Sequence, residues 1–294
     1  MLFTNRPQRK TRLMTTNTAA ADFGAVLAQH PVGWWLAGMG AFALLGMVAL
    51  QGLRALRRAS PPLHRLLPRL EARWLMLVAM GASACTLVMA GATMAALAES
   101  GRTQGPWGAL DDAVTMALRD RADTAVLQGF AMLTHLGDTW VLTALTLAVA
   151  GALWRQRRRL LATGWLVAMA GNGALTKILK NVFERVRPEH LHGIAQADGY
   201  SFPSGHSSAS MVAYAMLAYL ATRLLPRAWH LPAVVAAGML IFTTGWSRVV
   251  LQVHYPSDVL AGWLLGATWM VCTVVVMESV SRWRSTVGRH MKLA

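Results

Sequence analysis

The chain has 294 residues, 55% of them hydrophobic and only 14% charged, which is more apolar surface than one soluble core would bury. This excludes an ordinary soluble domain and points to an integral membrane protein. A formal net charge of +15 would mark a nucleic-acid binder in a soluble chain, but here Lys and Arg fall in short clusters between apolar runs; they read as topology signals and contacts with membrane lipids, and no nucleic-acid partner is expected.

Residues 1–32 are polar, carry Arg6, Arg9, Lys10 and Arg12, and read as a disordered basic N-terminal tail rather than a cleavable signal. Residues 33–73 join an extra apolar run, about 20 residues long and sufficient to span, to a loop with six arginines from Arg54 to Arg73 that belongs in the cytoplasm. Six further spans are predicted near 74–98, 134–154, 160–179, 206–223, 231–247 and 258–279. Within 109–133, Leu110, Val114, Leu118, Val126, Phe130 and Leu133 recur at helical spacing, which predicts an amphipathic helix on the membrane surface. Asp111 and Asp112 on it need no catalytic explanation. Cys85 and Cys272 lie inside apolar runs as reduced, buried thiols. Residues 280–294 form a basic cytoplasmic tail. The tryptophans mostly sit near span ends, where interfacial anchoring accounts for them.

Three polar stretches interrupt this pattern. Ser247-Arg248 closes one apolar run, and His254-Tyr-Pro-Ser-Asp258 opens the next. Pro256 suits the first turn of a helix, so Asp258 lies one turn on from His254, able to accept one ring N–H and leave the other nitrogen free. Taken alone, a His and an Asp at a helix start are more often a structural cap; the two further stretches reverse that reading. Pro203-Ser204-Gly205-His206 reads as a turn feeding a helix, with Ser204 as N-cap and the free N–H groups beyond Gly205 forming an anion site. Lys180, Arg187 and Pro188 end another apolar run. Three cations, a helix N-terminus and two histidines describe a phosphate pocket with a nucleophile and a proton donor. Lys177 and Asn172 lie inside the same apolar run as Lys180; Lys177 either supports the phosphate site or snorkels to the interface. Glu189, His190 and His192 are read as hydrated loop residues rather than metal ligands.

In this order and spacing the three stretches resemble the signature of the type 2 phosphatidic acid phosphatase superfamily, membrane lipid phosphate phosphatases related in active site to vanadium haloperoxidases. Lys180, Arg187 and Pro188 match its first motif, Pro203 to His206 its second, and Ser247, Arg248, His254 and Asp258 its third; the resemblance covers about residues 74–279. It implies an all-α integral membrane protein in which a six-helix core carries the phosphatase domain. The implied activity is hydrolysis of a lipid phosphate or diphosphate. His254 would attack phosphorus, Asp258 would orient it and His206 would move the proton, while Lys180, Arg187, Arg248, Ser204 and Gly205 hold the phosphate, with no metal and no cofactor. The implied setting is a bacterial-type plasma (inner) membrane, multi-pass, with a lipid phosphate as substrate. A phosphotransferase passing the phosphate to a lipid acceptor would use the same residues, and a transporter with a buried polar site is the remaining class. Which lipid phosphate is cleaved, and the oligomeric state, are not written in the sequence.

Orientation follows from charge. Arg54 to Arg73, Arg155 to Arg159, Arg223 with Arg227, and the tail from Arg282 to Lys292 alternate with the other loops, so all can share the cytoplasmic side and the three motifs the opposite one. An odd span count then puts the basic N-terminus outside. Either the six arginines of the first loop outweigh its four cations or residues 33–53 do not span.

Overall fold

A computed structural model describes residues 6–59, 72–102, 105–189, 193–195 and 197–290. Among these the chain is helical, without strands. The helices are α1 (Arg6–Gln29), α2 (Pro31–Ala59), α3 (Ala72–Arg102), α4 (Pro106–Arg121), α5 (Thr124–Leu133), α6 (Thr139–Arg155), α7 (Arg159–Phe183), α8 (Gly205–Leu224), α9 (His230–Val250) and α10 (Pro256–His290).

The signals that start and stop the central helices are local. Ser204 caps α8, accepting from the Ser207 N–H; Pro256, which has no N–H to lose, is the first residue of α10. Helix α7 stops where Glu184 takes a left-handed conformation, φ 45°. Helix α8 is the hub, packed against α7, α9 and α10, with α2 on the outside of α9, α3 on α10 and α6 on α7. Trp165, Ala168, Val212 and Met216 are fully buried where α7 meets α8. Leu45 of α2, Val78 and Val88 of α3, Leu147 of α6 and Val182 of α7 instead face outward with more than half their surface exposed. A ring of apolar side chains around a packed core suits hydrocarbon as the solvent.

Among the described residues, five helical stretches are long and apolar enough to cross a membrane: Pro31–Gly52, Met80–Gly101, Thr124–Arg155, Arg227–Val250 and Pro256–Arg284. The other two expected spans, α7 of 25 residues and α8 of 20, have sufficient length. Their inward faces are polar, however, with Asn172 and Thr176 on α7 and Ser207, Ser208 and Ser210 on α8, all buried.

Two expectations change. The segment read as a disordered tail contains α1, whose Leu27 and Ala28 are buried with Val114 and Leu118 of α4. A polar Thr/Ala composition hides this helix, because what holds it is close contact with α4: a Cβ at Gly24 would lie 2.7 Å from the Ala113 carbonyl oxygen. The amphipathic stretch is broken at Ala122-Asp123, with Asp123 capping α5. Its apolar stripe, Val114, Leu118, Leu127 and Phe130, packs on protein. Residues 60–71 of the basic loop, with His190, His192 and Lys292, lie outside the described residues.

Candidate active site

After α9 the chain turns through Gln252, φ 53°, and the backbone N–H groups of Val253 and His254 both donate to the Arg248 carbonyl. This turn delivers His254 to the protein interior, where it is 2% exposed. Its Nδ1 lies 3.2 Å from Ser201 Oγ and 3.4 Å from Asp258 Oδ2, and Ser201 Oγ donates to that same carboxylate oxygen at 2.5 Å. The expected histidine–aspartate pair is present, but Ser201 sits in the hydrogen-bond path. On the other side of the ring, Arg187 Nη1 is 3.0 Å from Nε2. A guanidinium can only donate, so Nε2 carries the lone pair and Nδ1 the hydrogen. Burial, then the charges of Arg187, Arg248 and Lys180, hold this imidazole well below the ordinary histidine pKa and keep it the free base.

The far oxygen of Asp258 belongs to a second network. Arg185, 9% exposed, donates from Nη1 to Asp258 Oδ1 and to Ser257 Oγ, both at 2.7 Å, and from Nη2 to Asp111 Oδ2 at 2.8 Å. Asp111 is fully buried and also accepts from the Ser257 backbone N–H at 3.0 Å and from its hydroxyl. The guanidinium lies 4.2 Å from the Tyr255 ring centre. Burial works against the charge on Arg185, but Asp258 and Asp111 outweigh it, and its pKa is raised. Sequence reading missed Asp111, Arg185 and Ser201. For Asp111 a signal existed, since it falls on the same stripe as Val114 and Leu118, where a carboxylate needs a partner. Ser201 and Arg185 had no comparable signal in polar loop sequence.

Lys180, Arg187, Arg248, Gly205, His206 and His254 line one cavity of about 690 Å³. Lys180 Nζ donates to the Tyr200 carbonyl at 2.7 Å, and Arg187 donates to the carbonyls of Gly199, Asp198 and Val253 at 2.8 to 3.0 Å. Arg248, 4% exposed, donates to Thr134 Oγ1 at 2.8 Å while its Nε has no partner. His206 Nε2 lies 3.0 Å from Asp138 Oδ1, a carboxylate that sequence reading also missed; it starts α6 and pairs with His135 Nδ1 at 2.7 Å. Ser204 caps α8 but does not face the cavity to hold phosphate. It is fully buried, its Oγ is occupied by the Ser207 N–H and hydroxyl, and it is not among the residues lining the cavity, so it builds the helix start that presents Gly205 and His206. Ser247 likewise donates back to the Thr244 carbonyl.

Away from the cations the cavity continues between α6 and α7. Thr176, Lys177 and Asn172 give way to Gly173, Met169, Ala170 and Leu166, facing Thr143, Thr146 and Leu147 of α6. Leu147 and Leu166 are themselves exposed on the outer, apolar surface.

The family model for the PAP2 superfamily matches residues 161–282. Phosphatidylglycerophosphatase B of Bacillus subtilis is 32% identical over 154 residues, 52% of this chain and 75% of that one. The chain belongs to the PAP2 superfamily. Another PAP2 relative, the decaprenylphosphoryl-5-phosphoribose phosphatase of Mycobacterium tuberculosis, is 38% identical over 165 residues, 53% of this chain and 82% of that one. The crystal structure of a transmembrane PAP2 type phosphatidylglycerolphosphate phosphatase from Bacillus subtilis superposes with a TM-score of 0.59 at 26% identity, covering 66% of this chain and 97% of that one. The PAP2 match fixes the class: a multi-pass membrane phosphatase acting on lipid phosphates.

Proposed function

We propose that the protein hydrolyses a lipid phosphate or diphosphate at the non-cytoplasmic face of the membrane through a phosphohistidine on His254. The observation that carries this reading is the single cavity whose wall changes from three cations and two histidines to an apolar groove reaching the outer surface between α6 and α7. Its chemistry matches an amphiphile with the phosphate at one end. As phosphate enters, its oxygens take the donors of Lys180, Arg187 and Arg248 and the N–H at Gly205, and Arg187 leaves His254 Nε2 free. The Nε2 lone pair attacks phosphorus, the bond from phosphorus to the lipid oxygen breaks, and protonated His206 gives its proton to that oxygen. Ser201 and Asp258 hold the Nδ1–H and the charge that develops on the ring. Water then loses a proton to His206 while its oxygen attacks phosphorus; the P–N bond breaks, inorganic phosphate leaves, and both histidines are restored.

The choice of face rests on charge. Arg157, Arg158 and Arg159 of the α6–α7 turn, Arg223 at the end of α8 and Arg284 near the end of α10 surround one small cavity, while α7 runs from that basic end to Lys180 at the catalytic end. Basic clusters stay in the cytoplasm. The direct test is phosphate release by purified protein from phosphatidic acid, phosphatidylglycerol phosphate, undecaprenyl diphosphate and lipid A, with phosphorus-labelled substrate to trap the intermediate. Acid-labile, base-stable label is expected on wild type and none on His254→Ala, which should not turn over. Normal turnover in that variant would end the proposal.

A further inference from the structure

Lys177 lines the cavity but has no part in the chemistry above. It lies on α7 three residues before Lys180, on the adjacent turn toward the hydrocarbon, about 4.5 Å along the helix axis. Nothing in the fold uses it: among the described residues it has no hydrogen bond and no ion pair, and Asp198, the one carboxylate of the cavity wall, belongs to the loop beside Arg187. Gly173, four residues earlier, leaves the space below it open, since a Cβ there would meet nothing within 4 Å. One step deeper, Asn172 is 2% exposed and lines the same cavity. Its Nδ2 donates to Ser208, but its Oδ1 has no partner. Read from the top, the wall therefore offers cations for a terminal phosphate, a further cation one turn deeper, and then an apolar groove.

We infer that Lys177 forms a subsite for a second phosphate, so that the enzyme selects lipids in which the terminal phosphate is followed, directly or through a short hydroxylated linker, by another phosphate on the hydrocarbon side. The inference rests on the lipid phosphatase reading and deepens it. A lipid with its tails in the α6–α7 groove and its terminal phosphate at His254 must carry its next polar group past Lys177. A lysine that only snorkels would interact with bulk headgroups and would not distinguish one substrate from another.

The test compares dioleoyl phosphatidic acid, which has one phosphate, with dioleoyl phosphatidylglycerol phosphate, which has two, in the same detergent micelles. For wild type, Lys177→Gln and Lys177→Arg, kcat and KM are measured on each. Wild type should prefer the two-phosphate lipid. Lys177→Gln should lose about tenfold in kcat/KM on that lipid, chiefly through KM, as expected for one charge-assisted contact, with phosphatidic acid turnover within about twofold. That turnover also reports that the variant is folded. Lys177→Arg should keep the preference. Equal loss on both lipids, or none on either, overturns the subsite while leaving the phosphatase reading in place. Absence of phosphate release by wild type from these two lipids and from undecaprenyl diphosphate and lipid A would remove the reading and the subsite together.

Discussion

Asp258 has two carboxylate oxygens, and different parts of the chain hold them: Ser201 and His254 at Oδ2, Arg185 at Oδ1. Arg185 and Asp111 are not among the residues lining the cavity, so in the proposed mechanism they act by fixing the carboxylate that faces His254. Asp111→Asn keeps the size of the side chain but leaves Arg185 with one carboxylate. We expect kcat to fall by at least about tenfold, equivalent to about 1.4 kcal/mol of barrier, with KM within about twofold. Arg185→Gln should go further and also lower Tm, because removing one member of a buried ion pair costs about 3–5 kcal/mol; Arg185→Lys should recover part of kcat. A folded Asp111→Asn protein with unchanged kcat would refute this. The pKa of His254 gives a second measurement. Because burial and its cationic neighbours depress that pKa, lowering the pH should leave the ring neutral until well below 6.5, the midpoint of an ordinary histidine. In nitrogen-15 spectra of histidine-labelled protein, the ring signals absent from His254→Ala should stay those of a neutral imidazole at pH 6.5. Half-protonation at that pH would mean that the cations do not act on the ring as described.

At the scale of elements, what the sequence made legible were the short-range devices. The cap at Ser204, the helix start at Pro256 and the i, i+4 placement of His254 and Asp258 are all set within a few residues, and the structure has all three. What it hid depends on partners far along the chain. Arg185 becomes intelligible only when α4 and α10 bring Asp111 and Asp258 to it, and α1 is a helix beside α4 although its composition resembles a tail. The approach of α10 to α8 belongs to this second class. Gly262 and Gly266 face the first turns of α8, where added Cβ atoms would lie 2.6 Å from the Ser204 carbonyl oxygen and 2.5 Å from that of Ser208. The Ser204 N–H donates to the Asp258 carbonyl at 3.0 Å, so this contact sets the distance between the turn bearing His206 and the helix bearing Asp258. Small residues let two helices meet this closely inside a bilayer. Gly262→Ala should therefore lower Tm, at a cost of about 1–3 kcal/mol for overpacking, and reduce kcat with it. Alanine at Gly40, where nothing lies within 4 Å, should change neither. Equal behaviour of the two variants would show that the α8–α10 approach does not position the site.

For the whole molecule, the proposed non-cytoplasmic site rests on how charge is distributed between the two ends of the bundle. If Arg157 to Arg159 remain in the cytoplasm, α7 must deliver Lys180 to the other side. Helix α8 then starts there at Gly205, returns Arg223 to the basic end, and α9 brings Arg248 back to the catalytic end. A substrate lipid would then reach the α6–α7 groove from the outer leaflet with its chains still in hydrocarbon. Single cysteines test this directly. Glu189 lies in the exposed loop beyond Arg187, and Gln156 in the exposed turn between α6 and α7. With the two free thiols removed as Cys85→Ala and Cys272→Ala, Glu189→Cys should react with a membrane-impermeant thiol reagent in intact cells. Gln156→Cys should react only after the membrane is opened. The reverse pattern would turn the bundle over, place His254 on the cytoplasmic side and exclude an outer-leaflet substrate.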